Sequence, residues 1–157
     1  MIQTTKDIKI WDQVHSVMVV VTDIAPNDLK TFEKTISSYF EKDQEVSYLY
    51  YYNQKKLPED MLKLGNTSYI AKSDFNIFGS LKDKSLKERI IQSNHDLLLC
   101  IYFKKIKNVN KLITAKKAKY KIGVEQESLP NFDIAFMAET DQGEALIQLA
   151  VKYLKQV

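Results

Sequence analysis

Apolar positions along this chain fall into two rhythms. Ser16 to Asp23 reads SVMVVVTD and Asp96 to Phe103 reads DLLLCIYF. Near-continuous apolar runs of this length suit strands covered on both faces. Glu45 to Asn53, EVSYLYYYN, is rich in tyrosine and valine and predicts a further strand, as does Ser68 to Phe75, SYIAKSDF. Tyr120 to Val124 and Ile134 to Ala138 predict two shorter ones. Between these runs the spacing turns helical. Leu29, Phe32, Ile36, Tyr39 and Phe40 mark the buried face of a helix from about Pro26 to Lys42, with Pro26 in its first turn and Asp28 near its positive end. A short helical turn is expected over Pro58 to Leu64, ended by Gly65. Ser85 and Glu88 have the spacing of a capping box that opens a helix to about Ser93. Asn108 is placed to cap a helix through Val109, Leu112 and Ile113 to about Ala118. Asp141 and Glu144 form a second candidate box before a last helix expected to bury Ala145, Leu146, Leu149, Ala150, Tyr153 and Leu154. The segment IKIWDQVHS follows neither rhythm, and Trp11 is expected to close one edge of the core.

Strands that alternate with helices imply a mostly parallel sheet covered on both sides. The expected architecture is a three-layer, Rossmann-like α/β domain with about six strands. The two most apolar runs, 16–23 and 96–103, should be adjacent, parallel and central. Right-handed crossovers then favour a strand order near 3-2-1-4-5-6. A length of 157 residues suits a single domain spanning 1–157.

Composition changes this picture little. The chain is 45% hydrophobic and 27% charged, ordinary for a globular protein. Its net charge of +3 comes from many lysines, and Arg89 is the only arginine. Bidentate readout of phosphate or guanine uses arginine, so specific nucleic-acid binding is not expected. Cys100 is the only cysteine, which excludes an intramolecular disulfide and a cysteine-based zinc site. It lies within LLLCIY and is expected to be a buried, inert thiol. MIQTTKDIKIW has no signal-like apolar core, and no apolar run reaches spanning length. A cytoplasmic protein without a membrane partner is the expectation.

Candidate chemistry is sparse. The turn after the first strand reads TDIAPND, without the glycines a dinucleotide site needs, and no P-loop pattern occurs. No cofactor and no metal are expected. Asp23 ends the first strand, where open α/β sheets often contact ligands, but the matching end of strand 96–103 carries Phe103, Lys104 and Lys105 instead of acids. Asp23 is therefore expected to cap the turn before the helix. His15 and His95 each precede a central strand, at the end away from the usual ligand crevice, and support no catalytic constellation. In YLYYY, alternation sends Tyr48, Tyr50 and Tyr52 to one face and Leu49 and Tyr51 to the other, which suits packing better than an aromatic platform. The lysines of KKAKYK (116–121) would either hold an anionic partner or complement helix C-termini.

The stretch SDFNIFGSLKD (73–83) is the most informative. Asp74 and Phe75 should end the third strand, which puts the loop at the carboxyl end of the sheet. Asn76 can bond nearby backbone, and Gly79 can take a positive φ. Ile77 and Phe78 are expected to fold back onto the domain, with a partner-binding patch as the alternative. Asp23, Asn76, Phe78, Gly79 and Lys104 are the candidate ligand or partner contacts.

At FNIFG, HDLLLCIY and AKYKIGVE the chain resembles a family of small bacterial Rossmann-like α/β proteins, a domain of unknown function, over roughly residues 15 to 157. In that family a Phe-Asn-aromatic-Gly loop precedes a helix, and a D-L-L strand leads through a helix to an A-K-x-K-x-G strand. The resemblance implies the fold and no activity. The D-L-L and A-K-Y-K-I-G elements also bear a faint likeness to the N-terminal half-domain of heptosyltransferase-type glycosyltransferases. Those enzymes need a second Rossmann-like domain, for which this chain has no room, and Cys100 and Tyr102 depart from the more acidic pattern of such a strand. The function read from the sequence is a non-enzymatic binding or interaction domain, with a protein partner or a second copy as its contact. The alternative is a small-molecule or nucleotide-binding enzyme using the crevice at the carboxyl ends of the central strands. A nucleic-acid role, resting on lysine content alone, ranks third.

Overall fold

A computed structural model of the chain describes residues 9–59, 61, 63–65, 67–125, 132–137 and 143–157. Six strands form one wholly parallel sheet: β1 (Ser16–Thr22), β2 (Glu45–Tyr52), β3 (Thr67–Ala71), β4 (His95–Ile101), β5 (Ala118–Val124) and β6 (Ile134–Phe136). Their order is β3-β2-β1-β4-β5-β6, as the two apolar runs predicted. β1 and β4 lie side by side in the middle, with Val19 level with both Tyr48 and Leu99.

Alternation along the strands sorts the core into two layers. Val17, Val19, Val21, Tyr48, Tyr50 and Leu99 face α1 (Leu29–Ser37) and α4 (Gly143–Leu154). Met18, Val20, Leu49, Tyr51, Leu98 and Cys100 face α2 (Lys84–Ile91) and α3 (Lys107–Ala115). Each such side chain, fully buried, contributes about 1.5–3 kcal/mol. The two-sided covering explains why β1 and β4 carry almost no polar residues. Trp11 closes an edge of the first layer, stacked on Phe40 at 5.5 Å, with the Lys155 ammonium 5.1 Å from its ring centroid.

Several element ends differ from the sequence expectation, each for a local reason. α1 stops at Ser37 rather than near Lys42, and Phe40 leaves the helix to stack on Trp11. β3 stops at Ala71, where the Asp74 carboxylate accepts the Ala71 N–H at 2.7 Å and a 3₁₀ turn over Lys72–Asp74 begins. Asp83, not Ser85, caps α2, accepting the N–H groups of Ser85 and Leu86. α3 begins at Lys107, so Asn108 lies within it and caps nothing. The described residues of Pro58 to Leu64 form no helix. α4 buries Leu146, Ile147, Ala150, Val151 and Leu154, while Leu149 and Tyr153 face outward and Tyr153 packs edge-on against Phe136. Ala145 is exposed as well. The expected box at Asp141 and the end of the last strand at Ala138 lie outside the described residues.

Candidate functional site

The carboxyl ends of β1 to β4 form one edge of the molecule, and every sequence-derived candidate lies there. They fall into two groups. Asp23 and Lys104 meet in a crevice of about 720 Å³, lined also by Thr22, Asn53, Phe103 and Lys105. The crevice opens where the strand order reverses between β1 and β4, the usual ligand position in such sheets. Asp23 has φ 56°, unusual for a residue with a Cβ. Its N–H donates to Tyr51 O at 2.8 Å, and its Oδ1 accepts the Asn53 N–H at 2.8 Å. The carboxylate thus ties the end of β1 to the end of β2. It does not cap the turn before α1, as the sequence suggested. Among the described residues no group of three or more His, Cys, Asp or Glu could hold a metal.

Asn76, Phe78 and Gly79 belong to the second group, a closed loop beyond β3. Phe75 and Leu81 pair across its base in an antiparallel bridge, and both are buried against the α2–α3 layer. Asn76 organises the tip. Its N–H donates to Ser80 O at 2.8 Å, and its Oδ1 accepts from the Phe78 N–H at 2.9 Å and the Ser80 N–H at 3.0 Å. Gly79 has φ +79°, and a Cβ there would lie 2.8 Å from Asn108 Oδ1. From α3, Lys111 donates to Phe78 O at 2.6 Å. The positive φ favours glycine here, and a Cβ would displace the end of the Asn108 side chain.

This geometry overturns the expectation that Ile77 and Phe78 fold back. They are 93% and 76% exposed. The apolar anchors are the flanking Phe75 and Leu81, and the Asn76 bonds set the backbone so that the two residues between them stand at the apex. Lys111, which holds the loop from a distant helix, gave no signal in the sequence.

Charge gathers at the same edge. Lys55 and Lys56 follow β2; Lys72, Lys82 and Lys84 flank the loop; Lys104, Lys105, Lys107 and Lys111 follow β4; all are exposed. Residues 23–28, 53–57, 72–84 and 102–111 together hold these nine lysines against four aspartates, a local charge of +5 in a chain whose total is +3. Three of those aspartates, Asp23, Asp74 and Asp83, accept backbone N–H bonds. The positive ends of the helices point to this edge too.

The opposite end of the sheet is built differently. Lys116 is buried and donates to Ile90 O, Ser93 O and Ser93 Oγ at 2.7, 2.8 and 3.0 Å, closing the end of α2. Lys121 likewise reaches Ile113 O at 2.8 Å at the end of α3. Both belong to KKAKYK, and their role is helix termination. His95 Nε2 lies 3.0 Å from Ser47 Oγ. Burial, and then the Lys116 charge, holds the imidazole down at about 4, so it is neutral at pH 7. Its Nδ1 has no partner among the described residues, and Asp96 turns its carboxylate to the His15 N–H. The pair therefore lacks the orienting carboxylate of a Ser-His-Asp site.

The remaining candidates are core. Tyr48 and Tyr50 stack at 6.0 Å, and Tyr50 and Tyr69 at 5.4 Å. Tyr50 donates to Glu33 Oε2 at 2.7 Å, and Tyr48 Oη lies 2.8 Å from Ser37 Oγ. Burial pushes the Glu33 carboxyl up, with the Tyr50 bond opposing. Cys100 is wholly buried, which pushes its thiol well above the ordinary range. Among the described residues no helix is long and apolar enough to cross a membrane.

Residues 2–157 match the model of a family of unknown function, DUF6913, and the chain belongs to that family. No curated protein and no solved structure matches the chain.

Proposed function

We propose that this member of DUF6913 is a binding domain without catalysis of its own, and that it meets its partner with the 76–79 loop and the lysines around it. The observation that carries the reading is the pair Ile77 and Phe78, 93% and 76% exposed at the tip of a loop fixed by its own hydrogen bonds. Two apolar side chains left in water forgo about 1.5–3 kcal/mol each. A loop already rigid loses little conformational freedom on binding. A photoreactive residue replacing Phe78 tests this in cells that naturally make the protein, with the same residue at exposed Lys117, at the other end of the sheet, as control. Adducts to a protein, lipid or nucleic acid from position 78 and not from 117 are expected. Their absence at 78 overturns the reading.

The crevice favours a second reading. Lys104 and Lys105 flank the switch point beside Asn53 and Thr22, which suits a small anion such as a nucleotide or a sugar phosphate. A rise in Tm with such a ligand, lost in Lys104→Gln, would support it by mass action. No rise across a panel of phosphorylated metabolites removes it.

A further inference from the structure

We infer that the partner of the loop-bearing edge is an anionic lipid bilayer, with Ile77 and Phe78 entering its interface and the surrounding lysines lying on its headgroups. The inference rests on the reading that this edge is the contact surface. Three observations select lipid over other anionic partners. The apolar pair stands at the apex and the positive charge is spread around it on three separate segments of the chain, the layout of a shallow interfacial anchor combined with a polybasic field. The cations are all lysine. The only arginine of the chain, Arg89, lines a pocket with Ser16, Glu45 and His95 at the other end of the sheet. Lysine is a strongly hydrated point charge suited to a diffuse field, whereas discrete carboxylate or phosphate recognition at protein interfaces uses arginine, and lysine is depleted there. A nucleic-acid backbone would engage the lysines but would leave Ile77 and Phe78 without a role. The expectation of no membrane partner rested on spanning length, which a surface contact does not require.

The insertion has a defined support. Phe75 and Leu81 are buried at the loop base, the Asn76 bonds fix its tip, and Lys111 bonds Phe78 O, so the two side chains are presented without refolding. Co-sedimentation of the full chain with vesicles of phosphatidylcholine alone, or of phosphatidylcholine and phosphatidylglycerol in equal parts, is the test. Binding to the anionic vesicles only, weakening as salt rises, is expected. Phe78→Ser should weaken it about tenfold, as loss of one buried aromatic implies. Lys104→Gln with Lys105→Gln should weaken it and flatten its salt dependence. Since these side chains are exposed, Tm should not change, so a folding defect is separable. No sedimentation with anionic vesicles overturns the inference, and so does binding indifferent to Phe78→Ser. Salt-sensitive capture of duplex DNA, equally indifferent to Phe78→Ser, would assign the lysines to nucleic acid instead. Protein adducts from position 78 without vesicle binding would leave the contact edge standing and remove only the lipid, whereas no adducts of any kind would remove both.

Discussion

At one end of the sheet Lys116 and Lys121 are 2% and 6% exposed; at the other, nine lysines stand in water. The first pair answers a structural need. The last carbonyls of a helix have no intrahelical partner, and an ammonium carries three donors. Lys116 uses them on Ile90 and Ser93, although burial, and secondarily the Lys121 charge, lowers its own basicity to about 8. Among the described residues the nine at the carboxyl edge close no helix end of this kind, and Lys111 reaches into the loop. The same residue type is thus structural where backbone carbonyls converge on it and is left in water where they do not. Exposure together with hydrogen-bond partners, rather than lysine content, separates the two.

The largest expected effect would come from Lys116→Met. It leaves Ser93 O without its donor and Ile90 O with the Ser93 hydroxyl alone, at about 1–3 kcal/mol for a buried group left unpaired. Thermal unfolding should show a drop of roughly 2–4 °C per kcal/mol for a chain of this size. A Tm equal to that of the native protein would break the contrast between the two ends. A smaller effect sharpens it through pH. The His95 imidazole is held at about 4, against 6.5 for a free one, first by burial and then by Lys116. Between those values the unfolded chain binds a proton that the folded chain does not, so stability should fall as pH drops from 6.5 to about 4. In His95→Gln this part of the decline should vanish from the pH profile of Tm, and in Lys116→Met the window should narrow. An unchanged profile in His95→Gln would contradict the burial argument. The smallest effect belongs to the exposed set. Lys104→Gln, Lys105→Gln and Lys107→Gln together should shift stability by no more than about 0.5 kcal/mol per site. A large loss in denaturant titration would show that these lysines, too, hold the fold.

The fold was legible because its strongest constraint is one-dimensional. A strand buried on both faces must be largely apolar, and Val17–Val21 of β1 and Leu97–Ile101 of β4 are unbroken apolar runs. Alternation also placed Tyr48, Tyr50 and Tyr52 opposite Leu49 and Tyr51 correctly. The loop was less legible. Phe75, Ile77, Phe78 and Leu81 are of one chemical kind, and composition alone does not say which pair is buried. The backbone decides, through Asn76, Gly79 and a lysine on a helix more than thirty residues away. The gathering of charge was hidden for a similar reason, since its lysines lie on segments that only the strand order makes neighbours. Lys121 and Gly123 of A-K-Y-K-I-G became intelligible only with partners in place. One closes α3, and the other leaves room for the Phe132 ring, into which a Cβ would project.

The strand order also dictates a sequence of events in time. β1 comes first among the described strands, yet one of its two neighbours, β4, lies far down the chain; residues 15 and 96, which join the ends of these strands, are 81 positions apart. Until Ile101 has left the ribosome, a sheet of β3, β2 and β1 has an open β1 edge of bare valine backbone, the template on which stray strands add. Long-range parallel pairing of this kind is also slow to form. The interval in which the nascent chain most needs shielding from its neighbours is therefore fixed by topology: it opens when β1 emerges and closes when β4 arrives.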